Sequence, residues 1–161
     1  MAVKKKDVSK QAMKDELLAS LEKTLAALSA AHADTKEAAT HEEAKPENDK
    51  DTRALEQSYL ARGQANRIAA LKAGVAAVGT MSIAPTAVSR PGAVVKTEDE
   101  EGKASTWFLA PDGGGLKLSG GVQVLTPASP LGAALSGKRD GDEVEVTIQG
   151  KRKQWSVTSV E

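Results

Sequence analysis

The sequence predicts an α+β fold: an N-terminal antiparallel helical hairpin of the coiled-coil kind, followed by a small β-sheet domain with one short helix. Three observations point there. Trp107, Phe108 and Trp155 stand in the last third of the 161 residues, whereas the first half is Ala, Leu, Glu and Lys, a composition suited to long helices. Two proline-free segments carry apolar residues at spacings of three and four. Beyond them the period falls to two and glycine-bearing turns recur.

The first helix is read from Asp7 to about Ala33, with Leu18, Leu21, Leu25 and Leu28 as its a/d seam. The second runs from about Asp51 to Val78, where Ile68, Leu71, Val75 and Val78 repeat the spacing. The first seam lies mid-helix and the second near a helix end, so antiparallel pairing sets apolar residues against apolar ones. Parallel pairing would need a long connection.

Between the seams, Ala33–Arg53 holds no Leu, Ile, Val, Met or aromatic residue and has seven acids against four bases. Such a segment cannot be buried by a neighbour, so it reads as the charged, water-facing end of the hairpin, with Pro46 marking the turn or the start of the second helix. At about 1.5 Å per residue, arms of roughly 30 residues place that end about 45 Å from the base. A solubilising turn is one reading of it. The density of Glu42, Glu43, Glu47, Asp49 and Asp51 offers another, a pair of carboxylates for a hard cation with further ligands from a partner.

Residues 1–78 are thus assigned to the hairpin, 79–91 to a linker carrying Gly79, Pro85 and Pro91, and 92–161 to the second domain. Its strands are read at Ala93–Val95, Ser105–Leu109, Leu116–Leu118, Gly121–Leu125, Glu143–Ile148 and Gln154–Val160. Pro130–Gly137 reads as the one helix, with Ser129 as N-cap, proline at the first position and glycine at the end. Gly113–Gly115 reads as a hairpin turn, because no Lys-Ser/Thr pair follows as a phosphate loop requires. Lys151–Lys153 reads as a solvated hairpin end.

Several function classes fall away. With no cysteine there is no disulfide, thiol nucleophile or Cys-ligated metal. His32 and His41 lack the four-residue spacing of a helical metal pair and read as surface residues. No serine sits in a nucleophile elbow. The 22 basic residues balance 22 acidic ones, so contact with nucleic acid is indirect. No segment reads as a leader or membrane span, which places the chain in the cytoplasm as a soluble protein. Each short seam is satisfied within the chain, so a monomer is expected.

Ser129-Pro-Leu-Gly-Ala-Ala-Leu-Ser-Gly-Lys138, followed by Gly141-Asp142, Val144, Val146 and Trp155–Glu161, resembles the C-terminal domain of bacterial Gre transcript-cleavage factors. That resemblance implies an FKBP-like sheet domain preceded by a long antiparallel coiled coil, the order already reached from periodicity. It also implies a transcription elongation factor that binds bacterial RNA polymerase at its secondary channel and brings the hairpin tip to the active centre. Such a factor is no enzyme alone and needs no cofactor of its own. Its tip carboxylates share a polymerase-held magnesium in two-metal phosphodiester hydrolysis.

The family's tip motif resembles Asp-Leu-Ser-Glu-Asn-Ala-Glu-Tyr. Here Pro46-Glu47-Asn48-Asp49 is the nearest string, with Ala44 where the family's Asp stands. Aligning instead on Arg67-Ile68 moves the match about one turn and puts Lys50 at the acid. The tip acids are therefore held as a group of Glu47, Asp49 and Asp51, with Glu43 next. The loop that grips polymerase in the family maps to Ala128, Ser129 and Pro130, with Ala128 where Asp or Asn is usual.

Three further readings of the tip and domain stand beside this one. A channel-occupying regulator would bind polymerase without stimulating cleavage. A prolyl isomerase of the FKBP kind would need an aromatic pocket from Trp107, Phe108 and Trp155, which at this size are better read as core. A plain coiled-coil interaction module is a third, and it would self-associate.

Overall fold

The computed structural model describes residues 9–43 and 51–161, with side chains described over 9–37 and 55–161. Helix α1 spans Lys10–Glu43 and helix α2 spans Asp51–Thr80. Six strands follow as β1 (Val94–Asp99), β2 (Ala104–Leu109), β3 (Lys117–Leu118), β4 (Val122–Leu125), β5 (Glu143–Ile148) and β6 (Lys151–Val160). The short helix α3 (Pro130–Leu135) lies between β4 and β5. The α+β class, the helical hairpin and the sheet with one short helix are as the sequence predicts.

The chain divides into two compact units, Ala19–Val75 and the combination of Met1–Leu18 with Ala76–Glu161. The first is the paired length of α1 and α2. Leu21 and Ile68 are buried there, and Leu25, Leu28, Leu71 and Val75 are half-buried. The same spacing then continues through His32 and Thr35 on α1 and Gln57, Ala61 and Gln64 on α2, all half-buried. His32 Nδ1 and Gln64 Oε1 stand 3.4 Å apart in this polar layer. His32 is therefore part of the seam and not the surface residue its sequence context suggests. Helix α1 also reaches further into the charged segment than the Ala33 end read from its apolar pattern, continuing to Glu43, whereas α2 starts at Asp51 as read.

In the second unit the sheet order is β3-β4-β2-β1-β6-β5. All pairings are antiparallel except β2 with β4, which runs parallel with Leu109 opposite Leu125. Gly113–Gly115 joins β2 to β3 across the intervening β4. It is a crossover loop and not a hairpin turn, because the strands it connects are not neighbours. A true hairpin joins β5 to β6, where Gln149 and Gly150 both take positive φ (52° and 76°), the turn that suits twisted strands.

Alternation along these strands gives two buried faces. On one, Val95, Leu109, Leu125, Val144, Val146 and Val157 cluster with Leu131 and Leu135 of α3, and Trp107 and Trp155 pack against the cluster. Trp107 Nε1 donates to Thr97 Oγ1 at 2.9 Å, which satisfies a threonine only 1% exposed. On the other face Val94, Phe108, Val122 and Val124 are buried, as are Met13, Leu17, Val78 and Met81 of the same unit. A sheet covered on both faces explains why β1 reads poorly as a strand. Its polar Lys96–Asp99 half is held extended by neighbours on both sides.

The first turns of α1 belong to this unit. Leu17 is fully buried while Leu18 is half-buried, so the seam begins one residue before the leucine chosen from spacing. A Cβ added to Gly113 would come within 2.5 Å of Leu17 Cδ1. The glycine thus admits the leucine, and its φ of +86° strains any other residue. Lys14 Nζ donates to Met81 O at 3.0 Å just past the end of α2, where unpaired carbonyls collect.

Candidate partner-binding site

The turn Thr126–Ser129 connects β4 to α3 and carries the residues assigned to partner binding. Ser129 N donates to Thr126 O at 3.0 Å, which closes a turn with Pro127 at its second position. The Ser129 hydroxyl donates to Thr126 O at 2.8 Å and accepts from Gly132 N at 3.1 Å. The cap read from the sequence is formed, and one lone pair of Ser129 Oγ is left for a partner. A Cβ on Gly132 would stand 1.9 Å from Thr126 O, so only glycine lets the helix start this close to the turn.

This bracing holds Pro127, Ala128 and Pro130 outward, where all three are exposed, while Ser129 is half-buried. A turn fixed before binding loses little freedom on binding. Ala128 presents only a methyl group. An Asp or Asn there would have added a hydrogen-bond acceptor.

Beside the turn lies an open groove of about 590 Å³, lined by Pro91, Pro111, Asp112, Thr126, Pro127 and Ala128. Three prolines meet there for a topological reason. Pro111 and Pro127 each lie two residues past the ends of β2 and β4, which run parallel and in register. Pro91 precedes β1, whose antiparallel pairing with β2 brings its start to the same end of the sheet. Gly92 N donates to Leu109 O at 2.7 Å and fixes that approach. Asp112 is the one charged residue of the wall, and its Oδ1 accepts from Gly113 N at 2.6 Å. Pro91, Pro111 and Asp112 were missed from the sequence. Only the parallel pairing of β2 with β4 would have revealed them.

The tip acids are not brought together with this turn by any described contact. Glu47 and Asp49 lie outside the described residues. Glu43 ends α1 and Asp51 begins α2, and their side chains also lie outside them. Among the described residues no group of three His, Cys, Asp or Glu could hold a metal ion. None of their helices is long and apolar enough to cross a membrane.

Comparison with known proteins bears on the unit that carries the turn. The family model for the C-terminal domain of the transcription elongation factors GreA/GreB matches residues 84–161. Among solved structures, the chain is similar to GreA factor homolog 1 (Gfh1) of Thermus thermophilus at 16% identity, over 89% of this chain and 94% of that one, with a TM-score of 0.39. It is similar to Gfh1 of Thermus aquaticus at 21% identity, over 88% and 91%, with a TM-score of 0.41. The prokaryotic transcription elongation factor GreA/GreB from Nitrosomonas europaea is 24% identical over 47% of this chain and 62% of its own, with a TM-score of 0.38. No curated protein matches the chain. All six strands and the braced turn fall within residues 84–161, the segment matched by the model for the C-terminal domain of the GreA/GreB transcription elongation factors.

Proposed function

We propose that this elongation factor binds bacterial RNA polymerase in the cytoplasm through Ala128, Ser129 and Pro130, with the adjoining groove as part of the contact. The observation that carries the proposal is the turn itself, pinned from within at Thr126 and Gly132 with its outer residues free, inside the segment that matches the family. The hairpin then enters the secondary channel and brings Glu47, Asp49 and Asp51, with Glu43, to the polymerase active centre. Those carboxylates are hard oxygen donors of the kind magnesium prefers. A magnesium held jointly with polymerase would activate water and stabilise charge on the transcript phosphate. The chain acts as a helper of polymerase chemistry, not as an enzyme alone, and meets nucleic acid only through the elongation complex.

A second reading draws on Ala44, which stands where the family motif has Asp. A tip short of one carboxylate fits a factor that occupies the channel without stimulating cleavage. Trp107 and Trp155 pack on the aliphatic cluster and Phe108 is fully buried on the opposite face, an arrangement that speaks against a prolyl-isomerase pocket built from these three rings.

The test is cleavage of labelled nascent RNA in a backtracked bacterial elongation complex with magnesium, with and without the protein and against a known Gre factor. Stimulated cleavage that disappears when Glu47, Asp49 and Asp51 are replaced together, with binding retained, supports the carboxylate role. Competition without cleavage selects the channel-occupying reading. Absence of both effects overturns the polymerase proposal.

A further inference from the structure

We propose that the hairpin has a built-in break point just outside the Leu28–Ile68 layer, beyond which α1 and α2 separate and re-pair as a small unit of their own while the inner seam stays closed. His32 and Gln64 face each other across the seam. Stepping inward in antiparallel register sets Leu28 against Ile68, Leu25 against Leu71 and Leu21 against Val75, all of them aliphatic. Stepping outward sets Thr35 against Ala61, and Gln57 follows one turn further along α2. Among the described residues outside the Leu28–Ile68 layer, no Leu, Ile, Val, Met or aromatic side chain is buried.

Short helices are not stable alone in water and stay paired through the apolar face they bury. The outer part has apolar residues, but Leu55, Tyr59 and Leu60 are 54%, 62% and 55% exposed and so add little to pairing. The polar groups in the seam do not replace them. The His32 Nδ1 to Gln64 Oε1 distance of 3.4 Å is long for a hydrogen bond. Gln57 Oε1 is buried with no partner among the described residues. A buried acceptor without a donor opposes pairing, because separation returns it to water. Thr35 Oγ1 donates back to Ala31 O at 3.0 Å, within its own helix and not across the seam. Gly63 weakens α2 in the same stretch, and a Cβ there would meet nothing within 4 Å, so no close neighbour requires it.

These weaknesses all fall on one side of a single layer, which makes the boundary sharp. A break there uncovers no aliphatic layer, whereas a break further in uncovers Leu28 and Ile68 first. Opening of the outer part therefore leaves the inner seam paired. A partner that takes the outer helices as a closed pair must supply the pairing that the seam lacks, so its affinity is reduced by the closed fraction.

The test is amide hydrogen exchange of the full chain, read by mass spectrometry of its peptides. Residues 21–28 and 68–75 should exchange at least about tenfold more slowly than residues 32–37 and 55–64. Leu25→Ala should speed exchange of the inner part and leave the outer part unchanged, because the outer part opens without breaking the Leu25–Leu71 layer. Replacing His32 and Gln64 together by Leu adds the missing apolar layer and should slow exchange of the outer part at least about tenfold, at a concentration where sedimentation reports the same size as wild type. If Leu25→Ala loses its helices, the His32 and Gln64 double variant carries the test. Equal protection along the whole hairpin overturns the inference. So does Leu25→Ala speeding both parts by one factor, or an outer part that the double variant leaves unchanged. The experiment contains no polymerase, so failure here leaves the polymerase proposal standing.

Discussion

Glu16 and Ser119 are 103 residues apart in sequence, yet the carboxylate of one grips both the backbone and the side chain of the other. Ser119 N donates to both oxygens, at 3.0 and 3.1 Å, and its hydroxyl donates to Oε1 at 3.2 Å. The bonds tie the second turn of α1 to the 3-10 turn Ser119–Gly121 that follows β3. Water competes at this exposed place, so Glu16→Ala should cost about 1 kcal/mol, read as a lower denaturant midpoint at unchanged slope. Glu16→Gln keeps one acceptor and should lose less.

Leu17 and Leu18 should separate sharply under the same measurement. Leu17→Ala empties a fully buried position and should destabilise by about 2–5 kcal/mol. Leu18→Ala, at a half-buried position, should cost roughly 1 kcal/mol or less. Equal losses would refute the placement of the seam.

The braced turn predicts an order of damage. Ser129→Ala removes the cap and the bond to Thr126 O and should cost about 1–2 kcal/mol. Gly132→Ala should cost more, because its methyl group would meet the Thr126 carbonyl oxygen. In polymerase binding, Ser129→Ala should show a weakening that Ser129→Thr, which can still cap, largely restores.

Lys10 should leave a mark on the alkaline limb of stability. Burial, with a smaller contribution from Arg90, pulls its pKa below the ordinary 10.5 against the opposing pull of Glu161. The unfolded chain then binds more protons than the folded one between the lowered value and 10.5, so stability rises with pH through that window. Lys10→Met removes the charged form and should be the more stable variant below the window, with the difference closing as pH rises through it. A parallel pair of pH profiles would contradict this.

The sequence made some of this legible and hid the rest for identifiable reasons. The seam from Leu21 to Leu28 and from Ile68 to Val75 is visible because apolar spacing reports burial. It fails at Leu17, where a leucine pair offers two registers and the choice depends on Gly113 nearly a hundred residues away. The helical part of the charged segment is invisible to hydrophobic periodicity, because His32, Thr35, Gln57 and Gln64 carry the seam with polar side chains. Glu143–Ile148 is read to the residue, being cleanly alternating and bounded by turns. Lys151–Lys153 is missed because its three basic residues are extended only through pairing with β5, including the Arg152 bridge to Glu145 at 2.8 Å. Ser129 is found by its cap pattern, whereas the groove beside it depends on a parallel pairing that no local signal announces.

The position of β6 sets an order of events during synthesis. It lies between β1 and β5, Val94 exchanges two backbone hydrogen bonds of 3.0 Å with Glu161, and it is the last of the six strands to be translated. Until Lys151–Val160 arrives, β1 lacks its second neighbour and β5 has none at all. The nascent chain can form its hairpin early, but the sheet has to wait, with Val95, Val144 and Val146 uncovered in the interval. A variant that lacks Lys151–Val160 would have a gap inside the sheet, between β1 and β5, instead of a shortened edge.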